Sequence, residues 1–176
     1  MTERNFAVGD LVAYGTNGIC TIEKIDMMSL VSDMPEMMYY VLKPENSDSS
    51  TVYIPLNNEK LVSKMRRVMT KKEIENMILD SKGKEIAWNS DRRFRTEEFH
   101  EILAAGVQQK MILMIDCIQK RKKSLIDSGK KLPATDSNIL KQAEKLVNEE
   151  FSHVLGIQPR DVGRYIRSLR EDDYQW

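Results

Sequence analysis

The chain has 176 residues, room for one generous domain or two small ones, and its 27 Lys+Arg balance 27 Asp+Glu to a formal net charge of zero. Hydrophobic residues make up 41% and charged residues 31%, as in ordinary globular proteins, but aromatics are only 7% against 11 Met, so the expected core is aliphatic and methionine-rich. No apolar run approaches the roughly 18 residues of a membrane-spanning helix, and Met1-Thr2-Glu3-Arg4 lacks the basic-then-apolar pattern of a secretion signal, which predicts a cytoplasmic protein without a membrane partner.

The first 65 or so residues read as β. Asp10-Leu11-Val12-Ala13-Tyr14 is a short apolar strand, and Gly15-Thr16-Asn17-Gly18 a turn, because Gly and Asn tolerate positive φ. Ile19 to Ile25 is a second strand with Ile22 and Ile25 on the core side. Asp33-Met34-Pro35-Glu36 reads as a hairpin turn before a third strand, Met38-Tyr39-Tyr40-Val41-Leu42. A polar loop, Pro44 to Ser50, leads to a fourth strand, Thr51-Val52-Tyr53-Ile54-Pro55. Short strands with tight turns predict a small, strongly bent sheet or barrel.

Helical signals follow. Thr70-Lys71-Lys72-Glu73 has capping-box form, after which Ile74, Met77 and Ile78 share a face. Asn89-Ser90-Asp91 offers caps for a helix to about Leu103, with Phe94, Phe99, Ile102 and Leu103 expected along one side. A third helix, Val107 to about Ser128, carries Met111, Met114, Ile115 and Ile118 at helical spacing and stops at Gly129. A fourth starts near Pro133-Ala134-Thr135-Asp136, keeps Ile139, Leu140, Ala143, Leu146, Val147, Phe151 and Leu155 in register, and breaks at Gly156. Asp161 to Leu169 is a short final helix before a fraying tail, Glu171 to Trp176. The expected organisation is α+β: a β domain over residues 1–66 and an all-α domain over 67–176.

Zero net charge hides an uneven distribution. Residues 1–80 hold 9 Lys+Arg and 12 Asp+Glu; residues 81–131 hold 12 and 7, a net of +5; residues 132–176 hold 6 and 8. A basic middle is either a solvated helical surface or a phosphate-binding face. Within it, Trp88 stands just before a helix start, and Arg92, Arg93 and Arg95 follow within the first turns. The ring is either a hydrophobic staple or an exposed wedge that stacks on a base step while guanidinium groups contact phosphates. Lys120-Arg121-Lys122-Lys123 ends the third helix, either complementing its C-terminal dipole or adding a second phosphate contact. With Asp91, Glu97 and Glu98 diluting the field, two to four phosphate contacts give weak binding at physiological salt, so DNA contact requires a second anchor.

No catalytic constellation is legible. There is no phosphate-cradling glycine motif, the only histidines are His100 and His153, and nothing in spacing pairs either with Cys117. Cys20 and Cys117 lack a second Cys at metal-ligand spacing and read as buried free thiols. A non-enzyme without metal, cofactor or small-molecule substrate is expected.

Phe6-Ala7-Val8-Gly9-Asp10-Leu11-Val12-Ala13-Tyr14-Gly15-Thr16-Asn17-Gly18 resembles the opening of the CarD family of bacterial transcription regulators, a module also found in transcription–repair coupling helicases. Tyr39-Tyr40-Val41-Leu42-Lys43 and Thr51-Val52-Tyr53-Ile54-Pro55 resemble its next strands, and Trp88 with Arg92-Arg93-Phe94-Arg95 its tryptophan-plus-basic helix, so that the resemblance spans roughly residues 5–155. It implies a Tudor-like β module that pairs an edge strand with the RNA polymerase β subunit, here through Met28, Leu30, Val52, Tyr53 and Pro55. Family members often carry arginine where Met28 and Tyr53 stand, so a more apolar contact is expected. The resemblance also implies a helical domain that holds the promoter open complex at the upstream edge of the melted DNA. Trp88 would be the minor-groove wedge, with Arg92, Arg93, Arg95, Lys122 and Lys123 as phosphate contacts. Such a protein is nucleoid-associated through polymerase. The competing expectation is a polymerase-bound protein–protein adaptor with no DNA contact.

Overall fold

The structure, a computed structural model, describes residues 6–30 and 35–171. Residues 33 and 34 of the expected hairpin turn, and the tail beyond Glu171, lie outside the described residues. Contacts divide the chain into two units, Met1–Val68 and Met69–Trp176. The architecture is α+β with the two kinds of element segregated along the sequence.

In the first unit, β1 (Leu11–Tyr14), β2 (Ile19–Met28), β3 (Met37–Pro44), β4 (Val52–Pro55) and β5 (Met65–Arg67) form one antiparallel sheet in the order β4-β3-β2-β1-β5. Gly18, at φ 71° and ψ −144°, adopts a backbone region open almost only to glycine and closes the β1–β2 connection. A register shift between Ile22 and Lys24 bends β2 against β3, as bulges do. Alternate residues then converge on one core of Val12, Cys20, Ile22, Tyr40, Leu42, Ile54 and Met65. The one-turn helix α1 (Glu59–Val62), capped by Asn58, and strand β5 carry no signal in the sequence pattern. Both are too short to show periodicity, and β5 forms only because β1 offers it an edge.

The second unit is all helix: α2 (Lys71–Ser81), α3 (Arg92–Ala105), α4 (Gln108–Asp127), α5 (Ala134–Leu155) and α6 (Val162–Arg170). Thr70 and Glu73 make the reciprocal capping box their spacing predicts. Gly106 and Gly156 end α3 and α5 in the left-handed conformation. The buried faces of α2 to α6 share one core, including Phe99, Met114, Ile115, Val147, Phe151, Val162 and Ile166. Two buried polar clusters tie it together over long sequence distances. Glu150 accepts from the Met69 backbone N–H and from Gln108. Arg170 donates to Ser81 Oγ through Nε and Nη2, and through Nη1 to Asp116 at 2.6 Å. The last helix is therefore part of the fold rather than an appendage. No helix among the described residues is long and apolar enough to cross a membrane.

Candidate functional site

Two surfaces hold the residues singled out by sequence, one in each unit. In the sheet unit the feature is an edge. Among the described residues strand β4 pairs only with β3, which leaves its other side open. Leu56 N–H donates to Met38 O, which makes 38/56, 40/54 and 42/52 the hydrogen-bonded pairs of this ladder. Tyr53 and Pro55 lie between those pairs and turn their backbone groups to the open side. Pro55 has no N–H to leave unpaired there, which is why proline is tolerated at that position, and its carbonyl already accepts from the Asn58 N–H at 3.1 Å. Tyr53 offers both N–H and C=O.

Exposed apolar side chains lie both on this edge and elsewhere on the sheet. Tyr53 is 42% exposed; at the far end of the β2–β3 ribbon, Met27 and Met38 face one another across the strands at 55% and 37% exposure. Leu30 is exposed just beyond β2, whereas Met28, Val52 and Pro55 are half-buried. Tyr53 stands opposite Val41, three residues from Met38 on β3, so it lies on the other face of the sheet from the Met27–Met38 pair.

In the helical unit, residues 84–90 run between α2 and α3 and bring Trp88 against α3 and α4. The indole is half-buried, meets Phe99 edge-on at 6.3 Å between centroids, and carries the Arg95 guanidinium 4.2 Å and the Arg121 guanidinium 5.6 Å from its centroid. Both cations are within cation–π reach. Trp88 is thus neither an outstanding wedge nor a core side chain: it is pinned on one side and accessible on another.

Arg95 departs from the expected phosphate contact. It is only 4% exposed, and its Nε and Nη2 donate to both carboxylate oxygens of Asp136 at 2.9 and 3.0 Å. Its Nη1 donates to Asn89 O at 2.7 Å, fixing the backbone next to Trp88. Arg95 therefore positions Trp88 and does not face solvent. Phe94 departs in the opposite sense: expected on the core side, it is 63% exposed. The sequence held the signal for both. Arg95 stands 4, 7 and 8 residues before Phe99, Ile102 and Leu103, on their stripe, whereas Phe94 is rotated by roughly 140° from Phe99.

The other basic candidates are exposed. Arg92 donates to Thr135 Oγ1 at 2.9 Å, and with Arg93 it lines a shallow groove that also holds Glu97 and His100. Asp91 caps α3, its carboxylate accepting from the Arg93 and Phe94 N–H groups, so those amides are already engaged. Lys122 and Lys123 lie on the turn of α4 that carries Arg121 but, at about 100° per residue, face away from Trp88. Arg121, one of four consecutive basic residues in the sequence, is the residue of that run that reaches the indole.

The thiols are not activated. Both cysteines are buried and neither is in a disulfide among the described residues. Burial, with Glu98 adding, pushes the Cys117 thiol up to about 11. At pH 8 its thiolate fraction is then roughly 100-fold below that of an unshifted thiol. Iodoacetamide should accordingly modify Cys117 at least about tenfold more slowly in native protein than in denaturant, as read by peptide mass spectrometry; equal rates would contradict the buried neutral thiol. The same shift favours the folded state below pH 9 and is lost as pH rises toward about 11. His100 and His153 are exposed, and no group of three or more His, Cys, Asp or Glu among the described residues is placed to hold a metal ion.

Fold and surfaces together define a two-part chain: a small antiparallel module with an open, apolar edge, followed by a helical unit with an aromatic-basic face. Residues 6–69 match the family model of the CarD-like/TRCF RID domain, so the sheet unit is similar to those domains. The match stops where the helical unit begins, short of the 5–155 span that the sequence resemblance suggested. No curated protein matches the chain.

Proposed function

We propose that the chain is a non-catalytic transcription regulator that docks on the RNA polymerase β subunit through β4 and lengthens the life of the promoter open complex through its helical unit. The observation that carries this reading is the open β4 edge within a segment matching a domain family that interacts with RNA polymerase. Strand addition at such an edge supplies backbone hydrogen bonds for affinity and side chains for choice of partner. Tyr53, exposed on this strand, gives the contact an apolar character. Docking raises the local concentration of the helical unit at DNA, which its diluted basic face requires. There Trp88 and Phe94 are the aromatic groups available to a distorted base step, and Arg92, Arg93, Lys122 and Lys123 the cations available to phosphate.

A second reading keeps the polymerase contact but uses the helical face for another protein. The half-burial of Trp88 and the internal role of Arg95 favour it over a stand-alone DNA-binding face. One experiment separates the two. Core RNA polymerase is co-eluted with the chain, and open-complex lifetime is then measured for wild type, Trp88→Ala and an Arg92→Glu/Arg93→Glu variant. Regulators of the open complex co-elute in all three forms, with the lifetime gain lost in the variants. Unchanged lifetimes and footprints in the charge-reversed protein establish the adaptor, and failure to co-elute removes the polymerase reading altogether.

A further inference from the structure

Between α4 and the stretch from Gly83 to Trp88 the helical unit contains a cavity of about 350 Å³. Leu113, Cys117, Arg121 and Ser124 line it from one stripe of α4. Its volume lies at the lower end of the roughly 300–1,000 Å³ typical of small-ligand pockets, so it admits one compact ligand. Ile86, Leu113 and the neutral Cys117 thiol give it an apolar interior.

The charges lining it do not cancel: Lys84, Lys120, Arg121 and Arg170 stand against Glu85 and Asp116, a net of two positive charges. Two of the cations are engaged, Arg170 with Asp116 at 2.6 Å and Lys120 with Glu85 at 3.1 Å. Each of the three Arg170 nitrogens already donates. Ser81 Oγ is engaged as well, accepting twice from Arg170 and donating to Ile78 O. Among the described residues no carboxylate pairs with Lys84 or Arg121. Arg121 is held all the same, because its guanidinium rests 5.6 Å from the Trp88 centroid. A guanidinium steadied by an aromatic ring uses no N–H on it, so its planar fork of donors remains for an anion.

We propose that this cavity binds a small apolar carboxylic acid, its carboxylate on the Arg121 fork and Lys84 and its body against Ile86, Leu113 and Cys117. A carboxylate presents two coplanar oxygens, which a guanidinium fork serves with two parallel hydrogen bonds. A phosphate carries further oxygens, and with Ser81 and Arg170 engaged the interior side chains hold no strong donor for them. The hydroxyls of a sugar would lie unpaired against apolar walls, a costly burial. The indole supports the receptor here and is not a platform for the ligand. Neither polymerase nor DNA enters, so the inference stands or falls apart from the docking reading.

The test uses the full chain carrying Trp176→Phe, which leaves Trp88, the residue beside Arg121, as the only tryptophan. Its fluorescence is titrated with phenylacetate and with 4-methylpentanoate, an aromatic and an aliphatic acid. Three further probes are 2-phenylethanol, which keeps a body and lacks the charge, acetate, which keeps the charge and lacks a body, and phenyl phosphate. The expected result is a saturable change with at least one of the two acids and binding roughly tenfold weaker or worse for the other three probes. The acid that binds should also raise the melting temperature, as any ligand of the folded state does. Arg121→Lys, which keeps the charge and loses the fork, and Lys84→Gln should each weaken that acid roughly tenfold, the worth of a charge-assisted hydrogen bond. Lys110→Gln, on α4 but outside the cavity lining, should leave its binding unchanged. All three side chains are exposed, and circular dichroism checks that the variants fold. No saturable change with either acid, equal or tighter binding of phenyl phosphate, 2-phenylethanol or acetate, or indifference to both Arg121→Lys and Lys84→Gln overturns the proposal.

Discussion

Arg95→Ala should lower the unfolding free energy of the helical unit by about 3–5 kcal/mol, the cost of leaving one partner of a buried ion pair alone. Asp136 is fully buried and its carboxylate accepts two hydrogen bonds from this guanidinium. Removing the guanidinium leaves that charge without its solvent or its partner. It also frees the Asn89 carbonyl and takes away the cation against which Trp88 rests. Asp136→Asn should cost less than full deletion, since the amide oxygen still accepts one bond. The double variant Arg95→Met/Asp136→Leu should recover much of the loss, because it removes both charges and keeps the volume. Urea titration followed by Trp88 fluorescence in the Trp176→Phe background reads all of these. Arg95→Ala unfolding within about 1 kcal/mol of wild type would show that the pair is peripheral and return Arg95 to the list of phosphate contacts. Phe94→Ala provides the contrast: with its ring mostly in water, it should change stability by less than about 0.5 kcal/mol.

Tyr53→Pro should reduce polymerase capture at least tenfold while leaving the sheet folded. At this position the backbone N–H points to the open side of β4, so proline removes a docking donor without taking one from the β3–β4 ladder. Its ring also obstructs an incoming strand. The loss of one backbone hydrogen bond is worth about tenfold by itself, and the obstruction adds to it. Tyr53→Ala keeps the backbone donor and loses only the ring, so it should weaken capture less than the proline does. That order distinguishes strand pairing from a contact made through side chains alone. Reversal of the order, or capture of the proline variant at the wild-type level, would move the docking site away from β4, with the Met27–Met38 pair as the next surface to test.

The balance between the two units has a physical sense. The sheet unit offers backbone groups and apolar side chains, which bind protein without dependence on salt. The helical unit offers few cations, several of them engaged internally, so any contact it made with phosphate would be weak. An anchor and a weak second contact on one chain give a contact that is gained on docking and lost on release.

Local chemistry was legible in the sequence because its causes lie within a few residues. Thr70 and Glu73 cap α2 across three residues, Gly106 and Gly156 end helices through their own backbone freedom, and the apolar faces of α4 and α5 repeat at the helical period. The strands and their turn glycine follow from the same scale of interaction. What tertiary structure decided depends on residues far apart in the chain. Arg95 reads as one more basic residue until Asp136, 41 positions on, is seen beneath it. Arg170 and Ser81 meet across 89 positions, and Trp88 acquires its two cations from different helices. Burying a charge is costly without a partner, so such pairs form only where folding brings both members together. The sequence determined the two units and the presence of a basic, aromatic segment. Only the packing of α3 and α4 around residue 88 decided which arginine is a support, which cation reaches the indole, and that a cavity of about 350 Å³ lies beside it.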